Sequence, residues 1–152
     1  MIKLLRIDDR LIHGQVAMAW TKAKGVDHII VVDDESEKDK MKKMILSLAK
    51  PSSTDLDIVS VENFKNVYDK NKDRNLMIVA GSTKTALAIL NTISSDAYEI
   101  NLGGIRHKEG RHKITEHVFL SDEEKDDLAK INDLGIDIVM QATPNGTKSV
   151  YK

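Results

Sequence analysis

Short runs of β-branched and aliphatic residues recur along the chain with segments of helical period between them, and this alternation constrains the fold more than any other feature. The runs are IKLLRI from Ile2, HIIVV from His28, DLDIVSV from Asp55, LMIVAG from Leu76, YEINLG from Tyr98 and IDIVMQA from Ile136. Several are apolar nearly throughout, as parallel strands covered on both faces should be. Between them, Met41, Met44, Ile45 and Leu48 fall at i, i+3, i+4, i+7, and Val16, Trp20 and Ala23 fall at i, i+4, i+7. Those spacings predict one-sided helices. Trp20, the Met41/Met44 stripe and Phe119 are expected in the core or between helix and sheet. Ser121 and Glu124 form a capping-box pattern, Gly135 sits where that helix should stop, and Pro51 closes the helix of the methionines. The expected fold is a mostly parallel, three-layer α/β/α domain spanning residues 1–152. One stretch, Gly103 to Ser121, is basic, rich in Gly and His, and irregular. It reads as an extended loop with a short strand near Ile114 to Phe119.

Composition removes several function classes. The 152 residues are 41% hydrophobic, enough to fill one core, and their 31% charged residues sum to a net charge of -1. No global field exists to hold nucleic acid or an anionic membrane, so any basic site is local and no nucleic-acid partner is expected. Cysteine is absent, which excludes disulfide scaffolds and thiol chemistry and fits a reducing compartment. No apolar run approaches 18 residues and no charged-then-apolar leader opens the chain. A cytoplasmic rather than membrane-spanning or exported chain is therefore expected.

The stretch RIDDRLIHGQV, Arg6 to Val16, follows the first strand and ends where a helix opens near Gly14. In open α/β sheets, ligands gather at the carboxyl ends of the strands, on loops of this kind. His13 then lies close to a helix N-terminus, where free N–H groups and the positive end of the macrodipole favour an anion and disfavour an imidazolium. A neutral imidazole is a nucleophile. Phosphoryl transfer suits such a loop, since its transition state spreads negative charge and needs positioned cations. Arg10 offers a planar fork for phosphate oxygens. Asp8 or Asp9 can fix the imidazole tautomer, and Gly14 removes a Cβ where an N–H must approach an oxyanion. Each residue also has a plainer reading: a lone loop histidine is commonly a satisfied hydrogen-bonding group, and an Asp pair before a helix is commonly a cap.

RIDDRLIHGQV resembles the active-site segment of the IIB components of the mannose family in the phosphoenolpyruvate-dependent sugar phosphotransferase system. The similarity continues through AWTKAKGVDHIIVVDDE and returns at INLGGIRHKEGRHKITEHVFLSDEE. The resemblance implies an α/β/α sandwich on a parallel sheet of six or seven strands with the first strand central. It also implies a phosphohistidine–sugar phosphotransferase. The histidine matching His13 takes a phosphoryl group on Nδ1 from a phosphohistidine of the IIA domain. It then passes the group to a sugar entering through the membrane components IIC and IID, with peripheral association to that permease. The arginine matching Arg10 binds the phosphoryl oxygens. Family substrates include mannose, fructose, sorbose, glucosamine and N-acetylgalactosamine, and the resemblance does not say which applies.

Arg6, Gly14, Ser82, Thr83, Lys84 and Arg106 are further candidates for contacts with the phosphoryl group or a docking partner. The loop AGSTKTA should lie beside that of His13, and Arg106, Lys108, Arg111 and Lys113 form a basic rim. No cofactor is implied. His107, His112 and His117 are irregularly spaced and lack carboxylates in register, so no metal site is expected. His28 reads as structural. Two other classes compete. VVDDES, from Val31, resembles the acid pair of a response-regulator receiver, but the pair follows the second strand and DIVSV ends without the required Asp. A non-catalytic flavodoxin-like regulatory or ligand-binding module also fits the β-α alternation. Homo-oligomerisation is left open.

Overall fold

A computed structural model describes residues 1–152. Its elements are β1 (Ile2–Asp8), α1 (Gly14–Lys24), β2 (His28–Val32), α2 (Asp34–Glu37), α3 (Lys40–Ala49), β3 (Asp55–Val59), α4 (Val61–Lys70), β4 (Leu76–Ala80) and α5 (Thr83–Ile93). After a 3-10 turn at Ser94–Asp96 come β5 (Glu99–Gly104), β6 (His112–Lys113), β7 (Phe119–Leu120), α6 (Asp122–Asp133), β8 (Asp137–Met140) and β9 (Ser149–Tyr151). The sheet runs β3-β2-β4-β1-β5-β8-β9, with β1 in the middle and every pairing parallel except β8 with β9. All six strand candidates are present and the layers are α/β/α.

The connections sort the helices. From β1 the chain moves outward to β2 and β3, then returns through β4, β5 and β8. Right-handed crossovers place helices of opposite travel on opposite faces. Accordingly Ala17 and Trp20 of α1 and Leu46 of α3 share one core of 10 buried residues, while α4, α5 and α6 contribute to another of 23. The α1/α3 layer is the thinner one. Strand side chains alternate between these cores: Leu5 and Ile7 enter the larger, Leu4 the smaller. Arg6 and Asp8 therefore lie on the α1 side.

Local signals stop the elements where expected. Ser121 and Glu124 close a reciprocal capping box, and Gly135 takes a left-handed φ of 82° beyond α6. Two expectations need correction, and one strand appears that the sequence did not announce. The stretch Ile114 to Val118 is not a strand but the turn of a small antiparallel hairpin, β6 against β7, closed by Ile114 N–H to the Val118 carbonyl at 2.9 Å. β9, an edge strand of three residues, carries no apolar run to announce it. The methionine stripe of α3 does not enter the core: only Leu46 of that helix is buried, and Met41, Met44, Ile45 and Leu48 face outward. No helix is long and apolar enough to cross a membrane.

Candidate active site

β1 delivers Asp8 to the carboxyl edge of the sheet, where the chain turns through Asp9 to Ile12 before α1 begins. Leu11 adopts φ 61° and Gly14 φ 46°, so the loop contains two left-handed residues within four positions. A Cβ on Gly14 would meet nothing within 4 Å. The glycine is therefore required by its backbone conformation and not by crowding from the protein around it.

Asp8 organises the loop. Its Oδ1 accepts the Arg10 backbone N–H at 3.0 Å, and its Oδ2 accepts from Arg6 Nη2 at 3.1 Å and meets His13 Nε2 at 2.8 Å. An ionised carboxylate can only accept, so Nε2 carries the proton and the lone pair lies on Nδ1. His13 is the N-cap residue of α1 but its side chain makes no capping bond. Burial pushes the Asp8 carboxyl up, yet the hydrogen bonds from His13 and the Arg10 N–H and the charge of Arg6 outweigh it and hold the group below the usual carboxylate range.

Arg6 is fully engaged beneath the site. Nη1 donates to Asn101 Oδ1 at 2.5 Å and the Gln141 carbonyl at 3.2 Å, and Nη2 donates to Asp8 and the Ala142 carbonyl at 3.0 Å. The guanidinium lies 5.5 Å from the centre of the Trp20 ring, whose Nε1 also donates to Ala142. Burial lowers the Arg6 pKa and the Asp8 charge opposes that. Arg6 thus acts on the site through Asp8, and its Nη hydrogens are not free to meet a phosphoryl group. Gly103 makes this possible, since a Cβ there would stand 2.1 Å from Arg6 Cζ.

Arg10, by contrast, is exposed, and its guanidinium has no protein partner. It and His13 line a cleft of about 640 Å³ at the carboxyl edge, lined also by Glu116, Gln141, Thr143 and Thr147. Asp9 braces the basic rim, accepting from the Arg106 backbone N–H at 2.9 Å and from Arg106 Nε at 3.2 Å. Arg111 forks onto Glu124 with two contacts of 2.9 Å. Burial raises the Glu124 carboxyl, but that fork and the Ser121 N–H leave it below its ordinary value. Lys108 and Lys113 stay exposed.

The loop after β4 does lie beside the His13 loop, with an ideal Gly81 Cβ 3.1 Å from Leu11 Cδ2. Its polar residues are nonetheless occupied elsewhere. Ser82 caps α5 through the Thr85 N–H, Thr83 is buried and donates to Asp127 at 2.8 Å, and neither they nor Lys84 lines the His13 cleft. The acid pair of β2 is also structural: Asp33 caps α2 through Ser36, and Asp34 accepts the Val61 N–H at 2.8 Å. Asn101, Gln141 and Trp20 are the site residues that spacing alone missed as supports.

An open α/β domain with an imidazole held by a buried carboxylate, beside an unpaired arginine at a helix mouth, is a phosphate-handling domain in its fold and its chemistry. The sequence matches the model of the PTS system sorbose subfamily IIB component over residues 2–151. It is 30% identical over 151 residues to the mannose-specific EIIAB component of Escherichia coli strain K12, covering 97% of this chain and 46% of that protein. It is 30% identical over 150 residues to the sorbose-specific EIIB component of Lacticaseibacillus casei, covering 98% and 92%. The structure superposes on the IIBSor domain of the sorbose permease from Klebsiella pneumoniae with a TM-score of 0.92 at 25% identity, covering 98% and 92%. The chain spans about half the length of the EIIAB relatives it matches. It belongs to the sorbose subfamily of phosphotransferase-system IIB components.

Proposed function

We propose that residues 1–152 act as one phosphoryl-carrier unit in the cytoplasm, with His13 as the carrier. Nδ1 attacks the phosphorus of a phosphohistidine on a IIA domain, the donor N–P bond breaks, and its electron pair returns to the donor imidazole. In the second step a sugar hydroxyl, presented by the membrane components IIC and IID, attacks the same phosphorus, the Nδ1–P bond breaks with its electron pair returning to Nδ1, and the hydroxyl proton leaves to water. The observation that carries this reading is the 2.8 Å contact of His13 Nε2 with Asp8, which leaves Nδ1 as the nucleophile at the cleft. Once Nδ1 bears the phosphoryl group and Nε2 keeps its proton, the ring is cationic. The buried Asp8 carboxylate stabilises that charge as it develops, which favours the transition state over the resting state. Arg10 supplies a planar fork to the equatorial oxygens. Asp9 holds Arg106 near the cleft, and Gly14 gives α1 the start that brings its N–H groups to the anion.

Incubation with phosphoenolpyruvate, enzyme I, the phosphocarrier HPr and a IIA domain of the family tests the reading. The chain should gain an acid-labile, alkali-stable label on His13, and His13→Ala should gain none. An alkali-labile acyl phosphate on an Asp, as in a receiver, overturns it.

A further inference from the structure

The stripe Met41, Met44, Ile45 and Leu48 is 66%, 60%, 57% and 81% exposed, and Met18 of α1, in the same layer, is 52% exposed. Of the nine large apolar side chains left outside the fold, these five lie on the thinner face. α3 is inverted: its apolar ridge points to solvent, while Lys42 and Lys43 are half-buried. A ridge of this size, about 10 Å long at 1.5 Å per residue, marks a surface that something covers.

We infer that this ridge is the docking surface for the IIA domain that donates the phosphoryl group, an inference that rests on the carrier reading above. Position supports it first. A second cleft, of about 320 Å³, is lined by Arg10, Leu11, Asp33, Ile45, Leu46 and Gly81. Asp9 and Arg10 line both clefts, so the ridge joins the His13 cleft at the one guanidinium of the loop without a protein partner. A specific interface covers about 800 Å² on each side. A protein that reaches His13 past Arg10 therefore also covers the adjoining end of α3.

Chemistry supports it next. Methionine and aliphatic side chains are adaptable interface material. A dianionic phosphoryl group arriving with the donor meets Arg10 at the end of the ridge. The His13 cleft also carries Glu116, Gln141, Thr143 and Thr147, whose polar side chains can meet a hydroxyl-bearing acceptor. The ridge does not fit an anionic bilayer, because Asp33, Asp34, Glu35, Glu37 and Asp39 stand beside its lysines. A carrier must also release each partner, and a ridge of four side chains fits an interface that forms and dissociates.

The test measures initial rates of label transfer from phosphorylated IIA domain, over a range of its concentration, to the wild-type chain and to Ile45→Gln and Leu48→Gln. Leu134→Gln, on the opposite layer, is the control. The α3 variants should raise KM for the donor about tenfold or more while kcat stays within about twofold, with thermal midpoint and sedimentation unchanged. The control should match wild type. Unchanged donor KM overturns the inference, whether the substitutions instead dissociate a wild-type dimer or slow only the onward step to sugar in membrane vesicles. If the wild-type chain takes no label from phosphorylated IIA domain, the carrier reading itself fails and the docking surface falls with it.

Discussion

Two His–Asp pairs sit at opposite ends of the same sheet with the same geometry, His13 with Asp8 and His28 with Asp57. In each, Nε2 meets Oδ2 at 2.8 Å. They differ in which partner is buried. At the carboxyl edge the imidazole is 20% exposed and the carboxylate 2%, whereas at the amino edge the values are 7% and 43%. Asp8 is held from below by Arg6 and holds His13 through Nε2, which leaves the His13 Nδ1 as the free ring nitrogen beside the cleft. His28 is itself buried, its Nδ1 lacks a partner, and Asp57 is half-exposed. On the carrier reading, an identical contact serves a reactive group when the carboxylate is buried and a strand fastening when the imidazole is. Burial of the acceptor in low dielectric gives it the strength to orient and charge-balance the ring.

The largest effect should come from removing the carboxylate charge at each end. Asp8→Asn leaves the Arg6 guanidinium buried without a counter-charge and removes the partner of the developing imidazolium. Label transfer from phosphorylated IIA domain should fall about a hundredfold, and stability by about 3 kcal/mol. Asp57→Asn should leave transfer within about twofold and change stability by under about 1 kcal/mol. Rapid-quench rates and denaturant titrations measure both. Equal losses of transfer at the two ends would dissolve the distinction.

A smaller change reaches the same pair without touching it. Gly103→Ala places a Cβ 2.1 Å from Arg6 Cζ, so the guanidinium must leave a position fixed by four acceptors. Overpacking of this kind should destabilise the chain by about 1–3 kcal/mol. Transfer should slow about tenfold with Asp8 and His13 both present, since only the support of Asp8 is disturbed. At Gly104 a Cβ would stand 3.6 Å from Asp8 Oδ1, ordinary contact distance, and Gly104→Ala serves as control. Similar rates for the two variants would show that Arg6 does not position Asp8.

What could be read from the sequence was local. Continuous apolar runs identified six strands, the capping box set the start of α6, and His13, Arg10 and Asp8 stand within six residues of one another. What could not be read depends on partners far along the chain or on which side of a pattern faces in. The acceptors of Arg6 lie on Asn101, Gln141 and Ala142, about a hundred residues away; the only local sign was the spacing of Arg6 and Asp8, which puts both on one face of β1. The i, i+3, i+4, i+7 spacing of α3 was real, but periodicity states that a helix has an apolar side and not that the side meets the sheet. The loop that carries Ser82 and Thr83 meets the His13 loop at Gly81 and Leu11, yet helix capping and Asp127 claim the oxygens of Ser82 and Thr83.

The smallest expected effect is in acid. The Asp8 carboxyl is held below its ordinary value of 3.8, chiefly against the pull of its own burial, by His13, the Arg10 N–H and Arg6. A carboxyl whose pKa is lower in the folded state contributes stability that is fully present above the ordinary value and is lost as pH falls through the lowered one. The stability gap between wild type and Asp8→Asn should therefore be constant from neutral pH down to about 4 and narrow below that, as the wild-type carboxyl protonates and comes to resemble the amide. Asp57→Asn, at the other end of the sheet, serves as the control, because it leaves Asp8 and its hydrogen-bond partners untouched. Denaturant midpoints of the three proteins from pH 7 to pH 2.5 measure this. A wild-type to Asp8→Asn gap that stays constant across the whole range would mean that the buried carboxylate carries no more charge stabilisation than the exposed one.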